Sequence, residues 1–130
     1  MSDQKANSGP EPIRLLFVDD EKDFVNVIAK RLSKRGFDVM KTFSGPEALQ
    51  AMRKADFDIA VLDLKMEDMD GIETIRILGK MAPELPVIIL TGHGDENAAK
   101  EGIKSGAVEY LTKPCDFEEL VRKIKQVLGK

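Results

Sequence analysis

The chain has 130 residues, 42% hydrophobic and 33% charged, with a formal net charge of -3; at about 150 residues per domain this is one globular domain with one core. No apolar run approaches the roughly 20 residues of a membrane helix, and the opening MSDQKANSGPEP lacks the apolar stretch of a signal peptide. The single cysteine, Cys115, excludes an internal disulfide and fits a reducing, cytoplasmic compartment, while the mildly acidic, Trp-free composition argues against direct nucleic-acid binding.

Residues 1–12 are polar and Pro-bearing and read as a flexible tail before a domain over 13–130. The run Leu15-Leu16-Phe17-Val18 is short and wholly apolar, the pattern of a strand buried on both faces. Phe24, Val27, Ile28 and Leu32 then follow at helical spacing, and Gly36 is the stop. Lys30, Arg31, Lys34 and Arg35 on this helix read as a solvated face, with a docking patch for an acidic partner as the second reading. Val39 to Phe43 mixes charge into a β-prone segment, as an edge strand does. Ser44 with Glu47 three residues on makes a capping box for a helix carrying Ala48, Leu49 and Met52.

Ile59-Ala60-Val61-Leu62 is a second apolar strand, followed by the helical stripe Ile72, Ile75 and Leu78. Val87-Ile88-Ile89-Leu90 is a third. The helix expected from Asp95 to Ser105 has only Ala98, Ala99 and Ile103 as apolar content, and Gly102 costs it about 1 kcal/mol relative to Ala. Val108 to Leu111 is a second mixed, edge-type strand. Asp116 is placed to cap a last helix with Phe117, Leu120, Val121, Ile124 and Leu128. Five strand–helix units with three apolar and two mixed strands predict an α/β fold, a doubly wound five-stranded parallel sheet in the order 2-1-3-4-5, with the mixed strands on the edges.

In such a sheet the carboxyl ends of the strands open onto one crevice. Those ends carry Asp19-Asp20, Asp63, Thr91 and Lys113. Carboxylates that close repel one another unless a cation intervenes or a pKa rises. A hard divalent ion with oxygen ligands, Mg²⁺, is the economical answer. Carboxylate, Mg²⁺, ammonium and hydroxyl together are the parts for phosphoryl transfer to an aspartate.

The segments LLFVDDEKD, DIAVLDLKMEDMDGIE, VIILTGHGD and GAVEYLTKP, in this order, resemble the receiver domain of bacterial two-component response regulators, the flavodoxin-like (βα)5 fold. The resemblance implies Asp63 as phosphoacceptor and Asp19, Asp20, Asp63 and the backbone carbonyl of Lys65 as Mg²⁺ ligands. It implies Thr91 as the switch hydroxyl, Lys113 as a phosphoryl contact, Tyr110 as the ring that moves with Thr91, and a cis bond before Pro114. Lys65 and His93 are the rate-tuning candidates, since in that family such positions tune the lifetime of the phosphorylated state. The family usually has proline where Glu67 stands, so this loop is less rigid and more negative.

The partners implied are a histidine kinase or histidine phosphotransfer protein and an unknown output partner or missing output domain, with a phosphorylation-dependent dimer as one form of output. A tail and five units fill the chain, so the signal is expected to leave through the receiver's own surface, at the fourth helix, fifth strand and fifth helix. Such a domain is no enzyme beyond handling its own phosphoryl group. The plainer readings are helix caps for Asp19 and Asp20, a strand end for Thr91, an edge aromatic for Tyr110, an exposed lone His93 and a half-buried thiol at Cys115.

Competing functions fit less well. A flavin binder needs a Gly- and hydroxyl-rich cradle where DDEKD stands. A haloacid-dehalogenase-type hydrolase needs an aspartate where Lys65 stands. A non-phosphorylated interaction module on the same fold is the remaining alternative.

Overall fold

The computed structural model describes residues 11–65, 71–92 and 94–130. The chain alternates β1 (Ile13–Val18), α1 (Lys22–Ser33), β2 (Phe37–Thr42), α2 (Gly45–Lys54), β3 (Ile59–Asp63), α3 (Gly71–Met81), β4 (Val87–Thr91), α4 (Glu96–Ser105), β5 (Glu109–Thr112) and α5 (Phe117–Leu128). The sheet is parallel throughout and ordered β2-β1-β3-β4-β5. The most polar strands, β2 and β5, lie on the edges, and every residue of β3 and β4 is buried.

Side chains alternate across a strand, so each apolar run feeds two cores. Leu15, Phe17, Ile59, Val61, Ile88 and Leu90 pack under α1 and α5. Leu16, Val18, Ala60, Leu62 and Ile89 pack with residues of α2 and α3 on the other face. A run with polar alternation could line only one of these layers, which is why the central strands are apolar at every position.

Local signals hold with some corrections. The Ser44 hydroxyl accepts from the Glu47 N–H at 3.1 Å. The Glu47 carboxylate reaches back to the Phe43 N–H at 2.8 Å, one residue beyond the expected partner. Gly36 has the expected left-handed φ of 91°, and its carbonyl accepts from Ile13 at 3.1 Å, closing the turn into the sheet edge. In α1 the buried face is Val25, Ile28, Ala29 and Leu32, whereas Val27 is 57% exposed; Val25 precedes Ile28 and Leu32 by three and seven residues and shares their face, while Val27, next to Ile28, points off it. In α4 the buried residues are Ala99 and Gly102, and Ile103 faces out. That helix lies close to β4: a Cβ on Gly102 would sit 2.5 Å from Ile89 Cδ1, so a larger residue needs that side-chain tip to shift. Asp95 and Asp116 occupy N-cap positions, but neither side chain makes a capping bond. Asp116 is exposed, where water competes for its carboxylate; Asp95 is paired elsewhere. The proposed tail falls largely outside the described residues.

Gly71 lies in tight contact with Leu64. The Gly71 N–H donates to the Leu64 carbonyl at 3.1 Å, and a Cβ on Gly71 would lie 2.3 Å from that same oxygen. Backbone cannot yield as a side-chain tip can, so Gly71→Ala is expected to lower stability by about 1–3 kcal/mol. Urea denaturation measures this, and an unchanged midpoint would refute the constraint.

Candidate functional site: a buried carboxylate cluster

Asp19, Asp63, Thr91 and Lys113 reach one place because each is fixed at or just beyond a strand end by its neighbour's backbone. The Asp19 N–H donates to the Thr42 carbonyl at 3.2 Å, and the Leu64 N–H to the Leu90 carbonyl at 3.1 Å. The Lys113 N–H donates to the Thr91 carbonyl at 2.7 Å. The Thr42 hydroxyl adds a bond to the Phe17 carbonyl at 2.8 Å, tying the ends of β1 and β2 together. The continuing ladders therefore set the side-chain positions that follow them.

Asp19 is fully buried, Asp63 is 7% exposed and Thr91 is 3% exposed. One carboxylate oxygen from each of Asp19, Asp20 and Asp63 lies within 4.8 Å of the other two, a group able to hold a metal ion. Asp19 Oδ1 accepts from the Glu21 N–H at 3.0 Å, while Oδ2 accepts from Lys113 Nζ at 3.1 Å. Asp63 Oδ1 accepts from the Lys65 N–H at 3.2 Å, and its Oδ2 lies 3.7 Å from Lys113 Nζ. Lys113 also pairs with Glu21 and stands over the Phe24 ring, 4.7 Å from its centroid. Among the described residues the Thr91 hydroxyl has one long contact, 3.5 Å to the Leu111 carbonyl. The Lys113–Pro114 peptide is cis, as expected.

A family model for the response regulator receiver domain matches residues 15–125. The chain belongs to the response regulator receiver family. It is 35% identical over 119 residues to the transcriptional regulatory protein ZraR of Klebsiella oxytoca, covering 92% of this chain and 27% of that protein. Among solved structures it resembles the receiver domain of NtrX from Brucella abortus, with TM-score 0.85, 30% identity and coverage of 89% of this chain and 98% of that one. A CheY-like receiver domain protein from Methanospirillum hungatei superposes with TM-score 0.87 at 28% identity, covering 92% and 95%. The chain thus spans about a quarter of the length of the full regulator it matches and nearly all of the isolated receivers. The fold is that of the two-component receivers, and the flavin-binding and interaction-module readings are not favoured.

The receiver's electrostatics follow from burial. Burial, joined by the nearby Asp19 charge, pushes the Asp63 carboxyl up to about 6. Burial likewise raises Asp19, against the pull of the Glu21 N–H and Lys113. Burial alone would lower Lys113, but Glu21, Asp19 and Asp63 outweigh it and hold the ammonium charged. One cation at 3.7 Å is beyond hydrogen-bond reach of Asp63 and does not offset both burial and a second carboxylate.

The α1 N-cap position is Glu21, and Asp19 and Asp20 precede it. Tyr110 lies on edge strand β5 and is 40% exposed. Cys115 is a half-buried free thiol whose pKa burial raises, an unreactive setting. Glu67 and His93, with Met66 and Met69, lie outside the described residues. Two site residues escaped the sequence reading: Glu21 as an ion-pair partner of Lys113, and Phe24 as the ring beneath it. Glu21 adjoins the two aspartates and was open to notice; the Phe24 contact has no sequence signal. Among the described residues no helix is long and apolar enough to cross a membrane.

A carboxyl whose pKa is raised on folding contributes stability at low pH that disappears as pH rises through the folded value. For Asp63 that loss falls between 3.8 and about 6. In metal-free buffer, Asp63→Asn is therefore expected to stabilise the receiver by about 1–3 kcal/mol at pH 8, with the advantage fading towards pH 4. Denaturation at both pH values measures this; an equal effect at both would contradict the burial argument.

Proposed function

We propose that this receiver takes a phosphoryl group on Asp63 and passes the resulting change to its surface. The observation that carries the reading is the convergence of Asp19, Asp20 and Asp63 within 4.8 Å, with the Lys113 ammonium 3.7 Å from Asp63. Three oxygen donors and no described sulfur or imidazole in the cluster fit Mg²⁺, with Asp19, Asp20 and Asp63 holding it and the Lys65 carbonyl as a further ligand. When bound, the ion neutralises charge on the transferring group's oxygens.

The protein's own groups do the rest. An Asp63 carboxylate oxygen attacks the phosphorus of a phosphohistidine, the phosphorus–nitrogen bond breaks, and the imidazole leaves with a proton. The donor is a histidine kinase or a histidine phosphotransfer protein. The Lys65 N–H holds one Asp63 oxygen in place, and Lys113, kept charged by its carboxylate partners, contacts the phosphoryl oxygens. Thr91, whose present contact is weak, turns its hydroxyl to the phosphoryl group.

Tyr110 follows Thr91 and alters the α4–β5–α5 surface, from which the signal passes to a partner, to a second copy or to a further domain of a longer chain. The names of the full-length relatives suggest control of transcription as that output. The receiver catalyses no reaction beyond gaining and losing its own phosphoryl group, and it works in the cytoplasm.

Acetyl phosphate with Mg²⁺ is expected to add one phosphoryl group to the wild type, read by intact mass. None should appear on Asp63→Ala, and EDTA should abolish the reaction. A wild type that stays unmodified, and that beryllofluoride with Mg²⁺ leaves unchanged by NMR, would sink the proposal.

A further inference from the structure

One ion pair joins the residue two after Asp63 to the start of α4. Lys65, two residues after Asp63, places its ammonium 3.1 Å from Asp95 Oδ2. It thereby joins the segment after β3 to the segment after β4. Asp95 holds the N-cap position of α4. An aspartate there ordinarily accepts from the N–H of the second or third helical residue. Asp95 does not, and its backbone, φ -99° and ψ 43°, lies outside the extended region that capping uses. Ser44, at the same position of α2, has φ -159° and ψ 163° and does cap. The Asp95 carboxylate leans back over its own turn instead: a Cβ on Gly92 would lie 3.1 Å from the same Oδ2. Lys65 and the α4 N-terminus are thus two claimants for one carboxylate.

Lys65 has a second claimant of its own. Its N–H is already bonded to Asp63 Oδ1 at 3.2 Å, which fixes its backbone beside that carboxylate. A phosphoryl group there would bring about -1.5 to -2 charge and three strong acceptors. The Lys65 side chain is 72% exposed, so no burial fixes it to Asp95.

We propose that Asp95 is a positioning residue for α4. At rest Lys65 holds its carboxylate off the helix; a phosphoryl group on Asp63 draws Lys65 away and releases Asp95 to cap α4. This rests on the reading of Asp63 as phosphoacceptor. Capping requires Asp95 to move to extended backbone at the start of α4. The charge change at Asp63 would so reach α4 by a route separate from the Thr91 hydroxyl.

Amide hydrogen exchange at Asn97 and Ala98, the second and third residues of α4, reads the cap directly. Lys65→Ala with no phosphoryl mimic is expected to slow exchange there about five-fold, the shift a typical N-cap supplies. Lys65→Ala combined with Asp95→Ala should lose that slowing. Beryllofluoride with Mg²⁺ should slow the same amides in wild type and add little in Lys65→Ala. Unchanged exchange in Lys65→Ala, or slowing that survives Asp95→Ala, overturns the inference. Normal beryllofluoride shifts around Asp63 without slowing at Asn97 and Ala98 overturn the relay alone. Failure of beryllofluoride to shift any amide near Asp63 overturns the phosphoacceptor reading and the trigger with it.

Discussion

The Lys113 ammonium is the interaction on which the rest of this site depends. It bonds Asp19 at 3.1 Å, pairs with Glu21, and lies 3.7 Å from Asp63. Asp19 and Asp63 come from β1 and β3, adjacent in the sheet, so parallel pairing forces their carboxylates together in a buried place. A lone buried carboxylate is costly, and two near one another more so. Lys113 makes the cluster tolerable, held from below by the Phe24 ring at 4.7 Å. It does not make it comfortable, as the raised Asp63 pKa records. Burial first and the Asp19 charge second raise it, and a divalent cation held there would offset both.

A rigid sheet and lighter surroundings divide the labour. β3 and β4 are buried at every residue and anchor Asp63 and Thr91. The helix downstream of Thr91 packs through Ala99 and Gly102, the smallest side chains available, and leaves Ile103 outside. An element with little apolar burial is cheap to displace. The cost of moving α4 is therefore low at the place where Thr91 and Asp95 could act on it, while the core under the other helices holds its shape.

The strand ends were legible because the change is abrupt: four apolar residues, then Asp19, Asp63, Thr91 or, after a mixed strand, Lys113. Sheet order followed from where charge interrupts the runs. Helix faces were less legible. Val27 follows Phe24 at i+3, but a 3.6-residue period puts Val25, not Val27, on the face of Ile28 and Leu32, and Val25 is the buried one. Asp95 at the start of a helix looks like a cap from sequence alone. It makes no capping bond, and its carboxylate pairs with Lys65, thirty positions earlier.

The alternation of apolar runs and amphipathic stripes was enough, by itself, to determine a parallel sheet and the edge to which its reactive residues belong, since burial on two faces demands apolar strands. Tertiary structure alone decided which charges meet which. Lys113 with Glu21 and Phe24, and Lys65 with Asp95, join loops distant in sequence. Such contacts depend on ångström-scale placement of separate strand ends, and no local periodicity encodes that distance.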